Sequence, residues 1–91
     1  MTRNGETMRF AYLYLMKDEP DSVRAVAPDH AAYWRRLGLA GYQGGPFMDR
    51  SGGLITFDHD SQEEAEALAS NDPFRRGDLL EAHWLKVWVV D

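Results

Sequence analysis

The chain has 91 residues, which is the size of one small domain. A domain this short buries only about 60–65% of the surface of its unfolded chain, so its core is marginal without additional support. The absence of cysteine excludes disulfides, thiol nucleophiles and cysteine-based metal centres. With 15 acidic residues against 10 basic ones and no basic stripe, the chain is not expected to bind nucleic acid.

The net charge of −5 comes from one segment of the chain. Five acidic residues fall within nine positions that contain no lysine or arginine, namely Asp58, Asp60, Glu63, Glu64 and Glu66. A charge run of this kind is typical of a solvated helix face. Because an acidic helix face needs no ligand to explain it, we do not interpret the run as a binding site.

No segment approaches the ~20 apolar residues that span a bilayer. The longest apolar run, Phe10 to Met16, has the character of the apolar region of a signal peptide. Charged residues follow it at once, however, and a small-residue cleavage site is missing. We therefore expect a cytoplasmic protein that makes no membrane contact.

The first part of the chain predicts a tail followed by a strand. Residues 1–7 are polar and are expected to form a flexible tail, with a single domain over residues 8–91. Met8 to Met16 is rich in strand-forming residues and is apolar at both parities. That pattern is typical of a strand that is buried on both faces.

The next segment predicts a helix. Pro28 suits a first helical position, because its fixed φ matches the helix and its missing N–H would have no partner there. The helix is therefore predicted from about Pro28, with Ser22 to Ala27 as a preceding turn. Gly38 and Gly41 are expected to end it.

Two short strands follow, joined by a hairpin turn over Met48 to Gly53. Tyr42 to Phe47 and Leu54 to Phe57 are the predicted strands. Ser61 is then expected to begin a second helix, since Glu64 three residues later would complete a capping box.

The last part of the chain predicts the end of the second helix and a fourth strand. Asn71 to Pro73 is expected to stop the second helix, and Leu79 to Val90 is predicted as a long strand, again apolar at both parities. The order β-α-β-β-α-β predicts a ferredoxin-like α+β fold with a four-stranded antiparallel sheet. Two helices can cover only one face of such a sheet, so the other face is expected to pack against a second copy of the chain as a homodimer.

His30 is the first candidate for chemistry. It shares one helix face with Tyr33, Trp34 and Leu37, at spacings of three, four and seven residues. A histidine on such a face can be a hydrogen-bonded core or interface residue. With the helix beginning near Pro28, its position close to the positive end of the helix dipole would also keep the ring neutral and available as a base.

Asp72 is the second candidate. Within Asn71-Asp72-Pro73 it can simply terminate a helix, which is an ordinary local role for aspartate. Taken alone, neither His30 nor Asp72 identifies a site.

Other residues give weaker signals. His59 lies in the acidic turn Asp58-His59-Asp60, but three consecutive side chains diverge, so we expect no metal site there. His83 and Glu81 share one face of the last strand and could line a cavity or a dimer interface. Arg24 could bind an anion or be solvated. No nucleotide-binding loop, zinc-binding helix or nucleophile elbow is present.

Several of these residues, taken together in order, resemble the YCII-related (YciI-like) domain family over roughly Met8 to Trp88. The resemblance lies in an apolar first strand followed by Arg24 with His30, Gly45-Pro46, Ser61-x-x-x-Ala65, Asp72-Pro73-Phe74, Gly77 and Glu81. It implies a ferredoxin-like fold that pairs sheet to sheet into a dimeric α/β barrel.

The resemblance also implies a site and a kind of reaction. His30 and Asp72 match the family's proposed catalytic pair, and Gly45, Pro46 and Ser61 match positions near the pocket. The family's characterised activity is a cofactor-free elimination of chloride from a hydroxylated aromatic ring. Members often carry an Ala-Gly pair after the Asp-Pro motif, whereas this chain has Arg76-Gly77-Asp78. That departure affects the expected cavity mouth, so the substrate is not carried over.

Two functions from different classes follow. The first is a small enzyme without cofactor or metal that moves a proton or eliminates a group on a small cyclic oxygenated metabolite. His30 would be its general acid/base, Asp72 the orienting partner and Arg24 an anchor for an anionic group. The alternative is a non-catalytic dimeric module that binds a small ligand or a partner protein. A third reading, a cofactor-free monooxygenase, fits the aromatic content but not specifically.

Overall fold

The computed structural model describes residues 7–91. Apart from Thr7, the predicted tail lies outside the described residues. The elements are β1 (Met8–Met16), α1 (Pro20–Arg36), β2 (Gln43–Pro46), β3 (Gly52–His59), α2 (Gln62–Ser70), α3 (Pro73–Arg76) and β4 (Leu80–Val87). The four strands form one antiparallel sheet in the order β2-β3-β1-β4. The predicted ferredoxin-like α+β fold is confirmed.

Strand β1 places alternate residues on the two faces of the sheet, one of which is covered by the helices while the other is open. Its residues Phe10, Tyr12 and Tyr14 are buried under the helices, where they form the core with Trp34 and Phe57. The residues between them, such as Leu13, are only partly buried. We call the face that carries Leu13 the open face.

The structure corrects the predicted start of the first helix. α1 begins at Pro20, not Pro28, and Pro28 lies inside the helix. Pro20 occupies the first helical position that the sequence analysis gave to Pro28. The cost of an internal proline is offset by packing, because an apolar stripe of α1 packs against the core from Val23 onward. That stripe contains Val23, Ala27 and Trp34, and the partly buried His30 lies on the same face.

The helix α2 begins as predicted, but its cap differs in one bond. The Ser61 hydroxyl accepts a hydrogen bond from the Glu64 backbone N–H at 3.1 Å. The Ser61 N–H donates to Nδ1 of His59 at 3.1 Å instead of to the Glu64 side chain. His59 therefore supplies the second half of the cap, and its place in the fold is explained without a ligand.

After Asp72 the chain forms a third helix, which the sequence did not predict. Asp72 ends the turn after α2 and caps α3, a single helical turn, by accepting the Phe74 N–H at 2.9 Å. Pro73 takes the first helical position, which its fixed φ favours. Phe74 is thereby placed in the core.

The last strand is shorter than predicted and lies at an edge of the sheet. β4 runs from Leu80 to Val87 and pairs only with β1. Leu80 is buried at its start, whereas its later apolar side chains are partly buried or exposed. Trp84 stays 44% exposed on the open face, and Trp88 and Val89 beyond the strand are also exposed.

No helix among residues 7–91 has the length and apolarity needed to cross a bilayer.

Candidate active site

His30 lies in the third turn of α1, and its imidazole contacts a carboxylate from the far end of the chain. Nδ1 of His30 is 2.8 Å from Oδ1 of Asp72. The carboxylate is fully buried, and the His30 side chain is 12% exposed. Because α1 begins at Pro20, His30 is well away from the helix N-terminus, and the predicted effect of the helix dipole on its ring is wrong. The neighbour that acts on the ring is Asp72.

Three donors converge on the Asp72 carboxylate. Oδ1 accepts from His30 and from the Phe74 backbone N–H, and Oδ2 accepts from the Trp34 indole N–H at 3.2 Å. When the carboxylate is ionised and the imidazole neutral, the ring proton lies on Nδ1, because an ionised carboxylate only accepts hydrogen bonds. Nε2 of His30 then has a lone pair. The helix-cap role and the histidine-partner role considered for Asp72 are therefore both present.

A tyrosine that the sequence analysis did not consider contacts the other side of the imidazole. The Tyr14 hydroxyl is 3.2 Å from Nε2 of His30, and in the tautomer with the ring proton on Nδ1 it donates to Nε2. Burial raises the pKa of Tyr14 above the usual tyrosine range, and the nearby Asp72 charge adds to the effect. Tyr14 is therefore a neutral hydroxyl in neutral solution, and Asp72, His30 and Tyr14 form one hydrogen-bonded chain.

Aromatic rings enclose the imidazole. Phe74 stacks on His30 with ring centroids 4.3 Å apart, and Tyr14 meets it edge-on at 5.4 Å. The packed rings restrict rotation of the imidazole and keep water from the Asp72 carboxylate. A polar interaction in such surroundings is stronger than the same interaction in water.

The glycine pair that opens β3 makes room for Tyr14. Gly53 is paired with Tyr14, and a Cβ atom there would overlap the Tyr14 hydroxyl. A Cβ atom on Gly52 would overlap the Tyr14 backbone carbonyl oxygen. Glycine at both positions thus allows β1 and β3 to pair while the Tyr14 side chain lies beneath them.

The other predicted site residues lie in β2, at the cap of α2 and in the first turns of α1. Pro46 is paired with Gly53, next to the Tyr14 hydroxyl, whereas Gly45 is paired with Leu54 of the open face. Ser61 caps α2, and Arg24 forms an exposed ion pair with Asp21 at 3.0 Å. Arg24 also lines a cavity of about 580 Å³ beside the start of α1.

The weaker candidates do not take part in the hydrogen bonds that His30 and Asp72 make. His59 has Asp60 at 3.4 Å and Glu64 at 3.7 Å, but the described part of the chain holds no group of three potential metal ligands. His83 lies beside Tyr14 on the edge strand, where partial burial and the Arg75 charge lower its pKa. Glu81 is exposed.

Sequence reasoning missed Tyr14, Trp34 and Phe74 as parts of the site. Trp34 carried a usable signal, because it lies four residues after His30 on the same helix face and a buried indole N–H needs an acceptor. Phe74 followed the Asp-Pro pair directly, where a helix cap leaves its N–H facing the carboxylate. Tyr14 carried no signal of its own, since strand residues are brought to α1 only by the tertiary fold.

The fold defines the class of protein, a ferredoxin-like α+β domain, and in this chain a histidine–aspartate pair lies between the helices and the sheet. The chain belongs to the YCII-related domain family, whose model matches residues 8–89. No curated protein matches the chain.

Three solved structures illustrate how widely the fold is shared. The chain is similar to 5-chloro-2-hydroxyhydroquinone dehydrochlorinase (TftG) from Burkholderia phenoliruptrix AC1100, solved in complex with 2,5-dihydroxybenzoquinone, with a TM-score of 0.77, 22% identity and coverage of 90% of this chain and 94% of that one. A dimeric ferredoxin-like protein of unknown function from Thermobifida fusca YX has a TM-score of 0.60, 17% identity and coverage of 96% and 93%. SnoaB, a cofactor-independent oxygenase from Streptomyces nogalater, has a TM-score of 0.53, 14% identity and coverage of 96% and 97%.

Proposed function

We propose that the chain is a small cofactor-independent enzyme that carries out acid/base chemistry, of the lyase or isomerase kind, on a small cyclic oxygenated metabolite. The observation that carries the proposal is the continuous hydrogen-bonded chain from buried Asp72 through His30 to Tyr14. A packed core has no need of a histidine whose one nitrogen is held by a carboxylate and whose other nitrogen keeps a lone pair. That arrangement prepares a base.

The proposed reaction uses the groups of this chain alone. Asp72 holds the proton on Nδ1, so Nε2 of His30 is the atom that takes up a proton. A substrate proton reaches it after the substrate replaces the Tyr14 hydroxyl, or passes through the Tyr14 oxygen as the phenolic proton moves to Nε2. The Asp72 carboxylate, 2.8 Å away, stabilises the imidazolium that forms. The same proton is then available to a leaving group or to the product.

The proposed substrate class draws on the similar structures. One of them is a dehydrochlorinase solved with a dihydroxybenzoquinone, which is a small oxygenated ring, and another is a cofactor-independent oxygenase. The predicted binding residues Gly45 and Pro46 lie on β2 beside Gly53, at whose position the Tyr14 hydroxyl is close. Gly45, Ser61 and Arg24 are retained as proposed binding residues. We also propose a cytoplasmic location, on the sequence alone.

A turnover screen separates an enzyme from a binding module. The wild-type protein is incubated in deuterated water with hydroquinones, hydroxyquinols and their chlorinated forms, without added cofactor or metal, and followed by proton NMR. We expect at least one compound to lose chloride, isomerise or exchange a carbon-bound proton for deuterium, because a base at Nε2 would catalyse each of these steps.

Other outcomes favour the competing functions. Shifted ligand signals without any turnover would support the non-catalytic module. Turnover that requires and consumes dioxygen would support the monooxygenase.

We further propose that the protein is a homodimer that pairs through the open face. Leu54, Leu13 and Trp84 form a row across β3, β1 and β4, and both Leu54 and Trp84 are exposed. A similar structure is described as a dimeric ferredoxin-like protein. A row of large apolar side chains on one sheet face is the kind of surface that a second copy covers.

Leu13→Asp is expected to convert the dimer into a folded monomer, because a second sheet packed on Leu13 would bury the new charge without a partner. Light scattering after size-exclusion chromatography measures the mass, and circular dichroism checks the fold. Ala67→Asp, on the exposed side of α2, introduces the same charge as a control and should leave the mass unchanged. A wild-type protein that is already monomeric at micromolar concentration contradicts the proposal.

A further inference from the structure

The cavity beside the start of α1 has basic side chains on three of its sides. Its volume is about 580 Å³, which suits a small ring compound. The end of β1 contributes Lys17, the first turns of α1 contribute Arg24, and the turn between β2 and β3 contributes Arg50. Asp18 is the acidic residue among its lining side chains. The cavity therefore has an excess of positive charge in a protein whose net charge is −5.

The residues that line this cavity neighbour the His30 site along the chain, although His30, Tyr14 and Asp72 are not among them. Ala27 lines the cavity, and His30 is the next residue on the same stripe of α1, about 4.5 Å further along the helix axis. Met16 lines it from β1, two residues after Tyr14. The His30 ring itself lies against Asp72, Tyr14 and Phe74, one helical turn beyond Ala27.

The basic residues lie at a distance that suits one small ligand. Arg24 precedes His30 by six residues, which is about 9 Å of helix rise. A ring placed at Ala27 would therefore lie between the levels of Arg24 and His30 along the helix axis.

The basic side chains are available to a ligand at small cost. Arg24 pairs with Asp21 at 3.0 Å, but both side chains are largely exposed, and exposed pairs contribute little to stability. Lys17 pairs with Asp78 at 3.1 Å, where Asp78 is 89% exposed. Arg50 has no carboxylate within ion-pair distance among residues 7–91. A ligand carboxylate would replace weak solvated pairs with charge-assisted hydrogen bonds in a concave site.

We infer that this cavity binds the anionic end of the substrate, and that the substrate is a ring compound that carries a carboxylate. Lys17, Arg24 and Arg50 bind the carboxylate, while the opposite edge of the ring faces Nε2 of His30 and the Tyr14 hydroxyl. The inference rests on the proposed function, and it adds the charge and the orientation of the substrate. Lys17 and Arg50 thereby become specificity-determining residues.

The test compares two probes of the same shape and different charge. Benzoate and benzamide are titrated into the wild-type protein by isothermal calorimetry at low salt. We expect benzoate to bind at least about tenfold more tightly than benzamide, and its affinity to fall as salt is raised.

Variants then locate the binding. The double variant Arg24→Gln/Arg50→Gln should weaken benzoate at least about tenfold and leave benzamide unchanged. Arg36→Gln, an exposed arginine in the last turn of α1, is the charge-matched control and should change neither. Circular dichroism and thermal unfolding check that each variant is folded.

Two results would overturn the inference. One is benzoate that binds no more tightly than benzamide, including no binding of either at millimolar concentration. The other is an equal loss of benzoate affinity in the Arg36 control. Binding is measured here without turnover, so a failure leaves the acid/base function standing. Conversely, charge-selective binding together with an inert His30 would overturn the proposed function and keep this cavity as an anion site.

Discussion

His30→Asn should lower turnover of any accepted substrate by roughly 10²–10⁴-fold or more while the protein stays folded. The amide nitrogen of asparagine can take the position of Nδ1 and still donate to Asp72, so the buried carboxylate keeps its partners. The amide cannot take up a proton, and the atom corresponding to Nε2 is lost. Initial rates and thermal unfolding of the purified variant measure the two effects separately.

Asp72→Asn is the companion variant, and it acts through the histidine rather than on the substrate. Its amide group would place N–H donors against a site where three donors already converge. We expect turnover to fall by a similar factor and the free energy of unfolding to fall by about 1–3 kcal/mol. Imidazole nitrogen NMR should show that the proton has left Nδ1, which a merely structural role would not predict.

His59→Asn provides the control for both variants. His59 accepts a hydrogen bond from Ser61, which an asparagine oxygen can also accept, and it lies at the other end of the sheet from Tyr14. Full activity is expected. Undiminished turnover in His30→Asn would remove the histidine from the mechanism.

Gly52→Ala should destabilise the fold by about 3 kcal/mol, because the new Cβ atom would overlap the Tyr14 backbone carbonyl oxygen. The overlap involves backbone on both sides, so it is relieved only by separating β1 from β3. For a domain of this size the loss corresponds to a fall of roughly 12–24 °C in Tm. Thermal unfolding followed by circular dichroism measures it.

Gly45→Ala is the matched control for stability. A Cβ atom on Gly45 has nothing within 4 Å, and its φ lies outside the left-handed region. We expect a change of less than about 0.5 kcal/mol in the free energy of unfolding. Equal losses at the two positions would mean that glycine matters here for backbone freedom and not for the approach of β1.

The order of strands and helices could be predicted because apolar residues recur at strand or helix spacing, and turn or cap residues separate the elements. The bounds of α1 could not, because Pro20 and Pro28 both satisfy the requirements of a first helical position. Packing along the whole stripe decided between them, and packing is a property of the folded chain. The single turn α3 was missed for a related reason, since four residues are too few to show a helical period.

Two of the three hydrogen-bonded site residues could be proposed from the sequence. The spacing within α1 made His30 a candidate, the Asp-Pro pair made Asp72 one, and the resemblance to the YCII-related family joined them as a pair. The structure brings these two residues into contact. Their catalytic role stays a prediction. The third member of the hydrogen-bonded chain, Tyr14, is an alternating strand residue like Phe10 and Tyr12. Only the register between β1 and β3 and the crossing of α1 distinguish it.

The three donors on Asp72 come from two helices that are far apart in sequence. His30 and Trp34 belong to α1, whereas Phe74 belongs to α3 and donates its backbone N–H. One carboxylate thus fastens the two helices together and orients the imidazole at the same time. Any local opening that lifts α3 from α1 would disassemble the proposed base, which would reform only when the helix docks again. In the proposed mechanism, catalytic competence is therefore coupled to the docking of the single helical turn α3.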